Sequence, residues 1–184
     1  VNERHFQRIN GYVDEARERG VEVVEINPAN EDFRQQSAHK IAPTFLIDPP
    51  EDSAVMQDEI FGPVMPIKSY DTLDETVDYV NSHDRPLGLY YFGTDQQETD
   101  QVLGNTTSGG VTLNDVVMHV AQEDLPFGGV GPSGMGSYHG EDGFRTFSHA
   151  KAVFKQATFN PAEKLGLRPP YGEKLIGLLK AQMK

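Results

Sequence analysis

Cysteine is absent from all 184 residues. Without a thiol the chain holds no disulfide framework, no thiolate metal site and no cysteine nucleophile. The lack agrees with a cytoplasmic setting, where structural disulfides are rare. Long apolar runs are missing too. Hydrophobic residues make up 37% of the chain, and they nowhere gather into the stretch of about 20 residues that a membrane-crossing helix needs. No secretory pattern opens the chain, which begins at Val1 rather than Met. Bases are scarce in the first half: residues 1–100 carry 21 acids against 8 bases, and residues 101–184 carry 7 against 8. An acidic body of this kind repels a polyanion, so nucleic acid is excluded as a partner. From Arg145 onward the balance reverses to 8 bases and 2 acids. That tail reads as a solvated segment or an electrostatic docking strip.

Periodicity supplies the elements. Phe6, Ile9 and Val13 recur at helical spacing, so a helix is expected over residues 2–19, closed by Gly20. Strands are expected at Val21–Ile26, Pro43–Ile47, Val64–Ile67, Leu87–Phe92 and Ser108–Leu113, with an irregular polar stretch over 27–40. Thr72-Leu73-Asp74-Glu75 has the form of a capping box and starts a helix through Val77 and Val80. Another helix is expected from Gln96 to Leu103. From residue 64 the order is strand, helix, strand, helix, strand. That order predicts an α/β fold with right-handed crossovers and a mostly parallel sheet flanked by helices. Beyond Phe154, prolines interrupt the chain. A short final helix would put Leu175, Leu178, Leu179 and Met183 on one face for docking on the body or on a neighbouring subunit.

Three motifs carry chemistry. The first is Glu59-Ile60-Phe61-Gly62-Pro63-Val64. In an extended segment residues two apart share a side, so Glu59 and Phe61 would present an acid and a ring to one ligand. The second runs from Leu125 through Pro126-Phe127-Gly128-Gly129-Val130-Gly131 to Tyr138-His139-Gly140, and ends at Phe147-Ser148-His149. Its formal G-x-G-x-x-G is rejected as a dinucleotide fingerprint, because that motif follows a buried strand and opens a helix. A loop of close backbone approach is expected instead. The third is Val111-Thr112-Leu113-Asn114-Asp115-Val116-Val117-Met118-His119. It follows the last strand, where open parallel sheets meet their ligands. By residue type alone Val117 and Met118 read equally as core. His119, His139 and His149 match no short metal-ligand spacing, so each is read as a structural histidine and no metal is expected.

Together the motifs resemble the aldehyde dehydrogenase superfamily over about residues 1–156, and its class 3-like branch in particular. Within that branch the sequence is most similar to the bacterial coniferyl aldehyde dehydrogenases. The resemblance implies that Glu59 holds the nicotinamide ribose of NAD or NADP and that Phe61 packs near the nicotinamide ring. It implies an aldehyde pocket lined by Phe127 and by the segment holding Asn114, Val117, Met118 and His119. Residues 1–150 would be the C-terminal portion of the catalytic domain, and residues 151–184 a terminal strand and tail. The family's nucleophilic cysteine and general-base glutamate would lie upstream, in a longer enzyme. No catalytic residue is therefore assigned here, and the chain alone is expected to be inactive. The implied substrate is coniferaldehyde or another aromatic aldehyde, with aliphatic aldehydes as the alternative. The implied assembly is a homodimer, paired near Ala152–Phe154. A non-catalytic assembly module and a degenerate enzyme remain open as other readings.

Overall fold

The structure, a computed structural model, describes residues 2–33 and 38–183. Residues 34–37, within the stretch expected to be irregular, lie outside the described residues. Helix α1 (Glu3–Glu18) starts where the Asn2 side chain accepts a hydrogen bond from the His5 N–H at 3.0 Å. This satisfies one of the backbone donors that a helix start leaves free. Its buried face is Ile9, Tyr12, Val13 and Ala16. The expected stripe is thus extended toward the C-terminus, and Phe6 is only half-buried.

Strands β1 (Glu22–Glu25) and β2 (Thr44–Ile47) pair antiparallel. After the short helix α2 (Ala54–Gln57), β3 (Val64–Ile67) pairs parallel with β2. The α1 face packs with Leu46, Val55 and Val64 to form the hydrophobic core. Helix α3 (Leu73–Ser82) carries the capping box: Thr72 accepts from the Glu75 N–H at 3.3 Å, and the Glu75 carboxylate accepts from the Thr72 N–H at 3.4 Å. Strand β4 (Gly88–Tyr91), helix α4 (Gln96–Asn105) and strand β5 (Gly110–Leu113) then form a parallel unit.

The α/β class stands, but the sheet is divided. β1-β2-β3 form one sheet and β4-β5 another. Element order does not decide which edges meet: β3 gives an edge to β2, whereas β4 and β5 pair with each other.

Past β5 lie the short helices α5 (Met118–Ala121), α6 (Gly140–Thr146) and α7 (Pro161–Lys164), then α8 (Glu173–Gln182). The expected strand at Ala152–Phe154 forms no ladder on this chain, and Phe154 is 87% exposed. The apolar face of α8 does not dock on the body either: Leu178, Leu179 and Met183 are exposed. Among the described residues no helix is long and apolar enough to cross a membrane.

Candidate functional site

The Glu59–Val64 motif sits between α2 and β3, at the edge of the core. It is not extended throughout. Phe61 has φ 47, a left-handed conformation that a bulky side chain seldom adopts. The alternation that would put Glu59 and Phe61 on one side therefore does not hold, and their relation is set by a turn at Phe61 itself. Gly62 is needed for a different reason than its freedom in φ. A Cβ there would stand 2.5 Å from Cδ1 of the fully buried Ile9. A side chain at position 62 would therefore have to displace Ile9 from its buried seat.

Helix α1 also holds this segment by its polar groups. The Arg8 guanidinium donates to the Glu59 carbonyl at 3.2 Å and to the Ile60 carbonyl at 2.7 Å. It also hydrogen-bonds the Tyr12 hydroxyl, which in turn donates to the Asp58 carboxylate at 2.9 Å. Three successive residues, Asp58 to Ile60, are thereby tied to two residues one helical turn apart. Sequence reasoning missed Arg8 and Tyr12. The available signal was Tyr12 itself, three residues after Ile9 on the buried stripe.

Held in this way, the motif projects its side chains outward. Phe61 is 75% exposed. The Glu59 carboxylate is exposed and makes no hydrogen bond or ion pair among the described residues. Burial, and next the hydrogen bond to Asp58, raise the Tyr12 phenol above its ordinary value of 10.0. Because the folded value is the higher one, the neutral phenol's contribution is complete below pH 10.0 and is lost as pH rises through the folded value. Tyr79 and Tyr91 are raised as well. A titration followed by phenolate absorbance should therefore show late-titrating tyrosines in the folded protein, and Tyr12→Phe should remove one of them.

The remaining candidates belong to the second sheet: Asn114 follows the carboxyl end of β5, whereas His119 lies over Gly88 and Gly110, the first residues of β4 and β5, with the loop after Phe127 close by. Asn114, with φ 55, uses its side-chain amide as a clamp. Its oxygen accepts from the Gly93 N–H and its nitrogen donates to the Gly93 carbonyl, both at 2.9 Å. This joins the turns after β4 and β5. Val117 and Met118 are 54% and 44% exposed, so neither is core in this chain. His119 is the opposite case: it is buried, with Nδ1 2.7 Å from Thr112 Oγ1. Phe127 is half-buried and exchanges two backbone hydrogen bonds of 2.9 Å with Tyr138. Its ring packs edge-on against Tyr138 and stacks on His139, with centroids 5.4 and 6.0 Å apart. The glycine-rich segment behind it is a loop between Phe127 and α6, with neither the strand nor the helix of a dinucleotide fingerprint. His119 and Phe127 come together, while Glu59 and Phe61 belong to the other sheet. Among the described residues no group of three His, Cys, Asp or Glu side chains is placed to hold a metal.

The parallel β4-α4-β5 unit, together with the mixed sheet packed on α1, places the chain in the α/β class. The model of the aldehyde dehydrogenase family matches residues 1–153, and the chain belongs to that family. It is 63% identical over 184 residues to the probable coniferyl aldehyde dehydrogenase of Caulobacter vibrioides, covering all of this chain and 38% of that protein. It is 50% identical over 179 residues to the coniferyl aldehyde dehydrogenase of a Pseudomonas species, covering 97% of this chain and 37% of that protein. Among solved structures, the substrate-bound state of AldH from Staphylococcus aureus superposes with a TM-score of 0.74 at 37% identity, covering all of this chain and 38% of that one. The chain thus spans less than two-fifths of the length of these relatives.

Proposed function

We propose that this chain forms part of the site of an NAD(P)-dependent aldehyde dehydrogenase, acting with protein outside these 184 residues. The whole enzyme would oxidise coniferaldehyde or a similar aromatic aldehyde to the acid. The observation that carries this reading is the Glu59–Phe61 segment. An unpartnered carboxylate and an exposed ring stand on a backbone fixed by Arg8, ready for a ligand this chain does not supply. Such a pair suits a nicotinamide ribose: the carboxylate accepts from the two hydroxyls, and the ring offers an apolar face to the heterocycle. When bound, the nicotinamide supplies the hydride acceptor. The task of Glu59 and Phe61 is orientation, which lowers a barrier by holding reacting groups in a near-attack geometry. Phe127, Val117 and Met118 form the aldehyde side, their apolar surface suiting an aromatic ring. The likeness to two coniferyl aldehyde dehydrogenases supports the substrate class. A cytoplasmic homodimer is the expected form, with the exposed Val153 and Phe154 available for pairing.

The test is made on the full-length protein that contains this chain. Reduction of NAD or NADP in the presence of coniferaldehyde is expected, with a higher kcat/KM than for an aliphatic aldehyde such as hexanal. No reduction with any aldehyde overturns the reading. In the same enzyme Arg8→Met should raise the cofactor KM and lower kcat together. It removes both bonds to the Glu59 and Ile60 carbonyls while keeping an unbranched stem at that position of α1. Two charged hydrogen bonds of about 1.5–3 kcal/mol set the upper limit; exposure of one partner brings the expected loss in kcat/KM to roughly tenfold.

A further inference from the structure

The most completely built setting near Phe127 belongs to His119. Its side chain is only 7% exposed and it is bound to Thr112 twice. The His119 backbone N–H donates to Thr112 Oγ1 at 3.1 Å, and Nδ1 hydrogen-bonds the same hydroxyl at 2.7 Å. Thr112 is itself buried. Gly88 pairs with Gly110 and Tyr90 with Thr112, so these four residues share one face of the two-stranded sheet. The imidazole lies on that face where side chains are missing. A Cβ on Gly110 would stand 2.5 Å from His119 Cδ2, and one on Gly88 would stand 3.5 Å from Cε1. Beyond the sheet the ring centroid is 6.1 Å from that of Phe127 and 5.9 Å from that of Tyr90.

Two residues before His119 the backbone is strained. Val117 has φ 64, a left-handed conformation that is a genuine outlier for a β-branched residue. Such a conformation persists only where its surroundings enforce it. Two residues further on, the two hydrogen bonds of His119 to Thr112 tie the chain to β5.

We infer that Thr112 and His119 form a positioning pair that sets the shape of the aldehyde pocket without touching the aldehyde. Thr112 anchors His119. His119 fixes the strained turn that presents Val117 and Met118, and it backs the Phe127 ring. The inference rests on the reading of Phe127, Val117 and Met118 as pocket residues. Glycine at 110 is part of the device, since a methyl group there would push the imidazole from its seat.

The test uses the full-length enzyme with Thr112→Val, Thr112→Ser and Gly110→Ala, and measures kcat and KM for coniferaldehyde, hexanal and NAD. Valine keeps the shape of threonine and removes the hydroxyl, whereas serine keeps the hydroxyl. Thr112→Val should change the coniferaldehyde-to-hexanal ratio of kcat/KM by about tenfold, the size of effect that loss of one buried hydrogen bond produces. The NAD KM should stay unchanged. Gly110→Ala should shift the ratio in the same direction, and Thr112→Ser should behave as wild type. An active wild type whose folded Thr112→Val and Gly110→Ala variants keep the wild-type ratio overturns this inference alone. So does a Thr112→Ser variant as altered as Thr112→Val. Failure of both Thr112→Val and Gly110→Ala to fold would assign the pair to stability and overturn the inference. A wild type that oxidises no aldehyde overturns the aldehyde reading and this inference with it.

Discussion

Incubated with coniferaldehyde and NAD, the isolated 184-residue chain should produce no reduced cofactor. Aldehyde oxidation of this type needs a nucleophile that attacks the carbonyl carbon, and a thiolate is the side chain best suited to it near neutral pH. The chain has no cysteine. Its histidines offer no substitute: His119 is buried against glycines, and His83 Nδ1, although 3.1 Å from Ser82 Oγ, is engaged as a donor by the Tyr79 carbonyl at 2.7 Å and so cannot take the serine proton. Cofactor binding should also be weak. In the proposed role Glu59 and Phe61 would address only one end of a dinucleotide, and the glycine-rich segment has neither the strand nor the helix of a pyrophosphate cradle. The chain alone would thus lack both the attacking group and most of the affinity for the hydride acceptor. The full-length protein, assayed in parallel, should turn over. Activity of the isolated chain that survives repurification, or a micromolar dissociation constant for NAD by calorimetry, would contradict this account.

The sequence revealed more of the elements than of their pairing. Helix α1, the Thr72 capping box and all five strands were legible, because each rests on local signals: periodicity, a cap, a glycine stop. The division into two sheets was not legible, since edge pairing is a contact between distant residues. The short helices α5 and α6 were hidden by their entries. Both follow non-glycine residues with positive φ, Val117 and His139, where no standard N-cap announces a helix.

The candidate site divides in the same way. Glu59, Phe61 and Phe127 were found as motifs. Arg8, Tyr12 and Thr112, which hold the motifs in place, lie in unrelated stretches of sequence and act through bonds that only the fold creates. Asn114 shows the limit of the motif view. It falls in the expected pocket segment, yet its amide is spent on the Gly93 backbone. One signal for the Thr112–His119 pair was present in the sequence: small residues alternate at 110 and 112 on β5, a pattern that leaves room for a ring from elsewhere.

In the full-length enzyme, Glu59→Gln should lower kcat far more than it weakens cofactor binding. The carboxylate is exposed and unpartnered here; in the proposed role it would accept from both ribose hydroxyls, and an ionised acceptor makes such bonds stronger than an amide does. Glutamine keeps the shape and one acceptor oxygen. The segment's backbone should not move, because Arg8 holds it through the Glu59 and Ile60 carbonyls and not through the Glu59 side chain. The substitution therefore separates orientation from folding. Affinity supplied elsewhere by the adenosine and phosphates should survive, while the fixed position of the nicotinamide over the reacting carbon is lost. A charged hydrogen bond contributes roughly 1.5–3 kcal/mol, so kcat should fall on the order of ten- to a hundredfold with a small change in the NAD dissociation constant. If hydride transfer is not already rate-limiting in the wild type, the isotope effect with a deuterated aldehyde should grow in the variant, since the slowed step is the transfer itself. Wild-type kcat together with an unchanged isotope effect would show that Glu59 does not hold the ribose. The motif would then be a surface acid beside a strained phenylalanine, and the Arg8 clamp would serve only to seat β3 against α1.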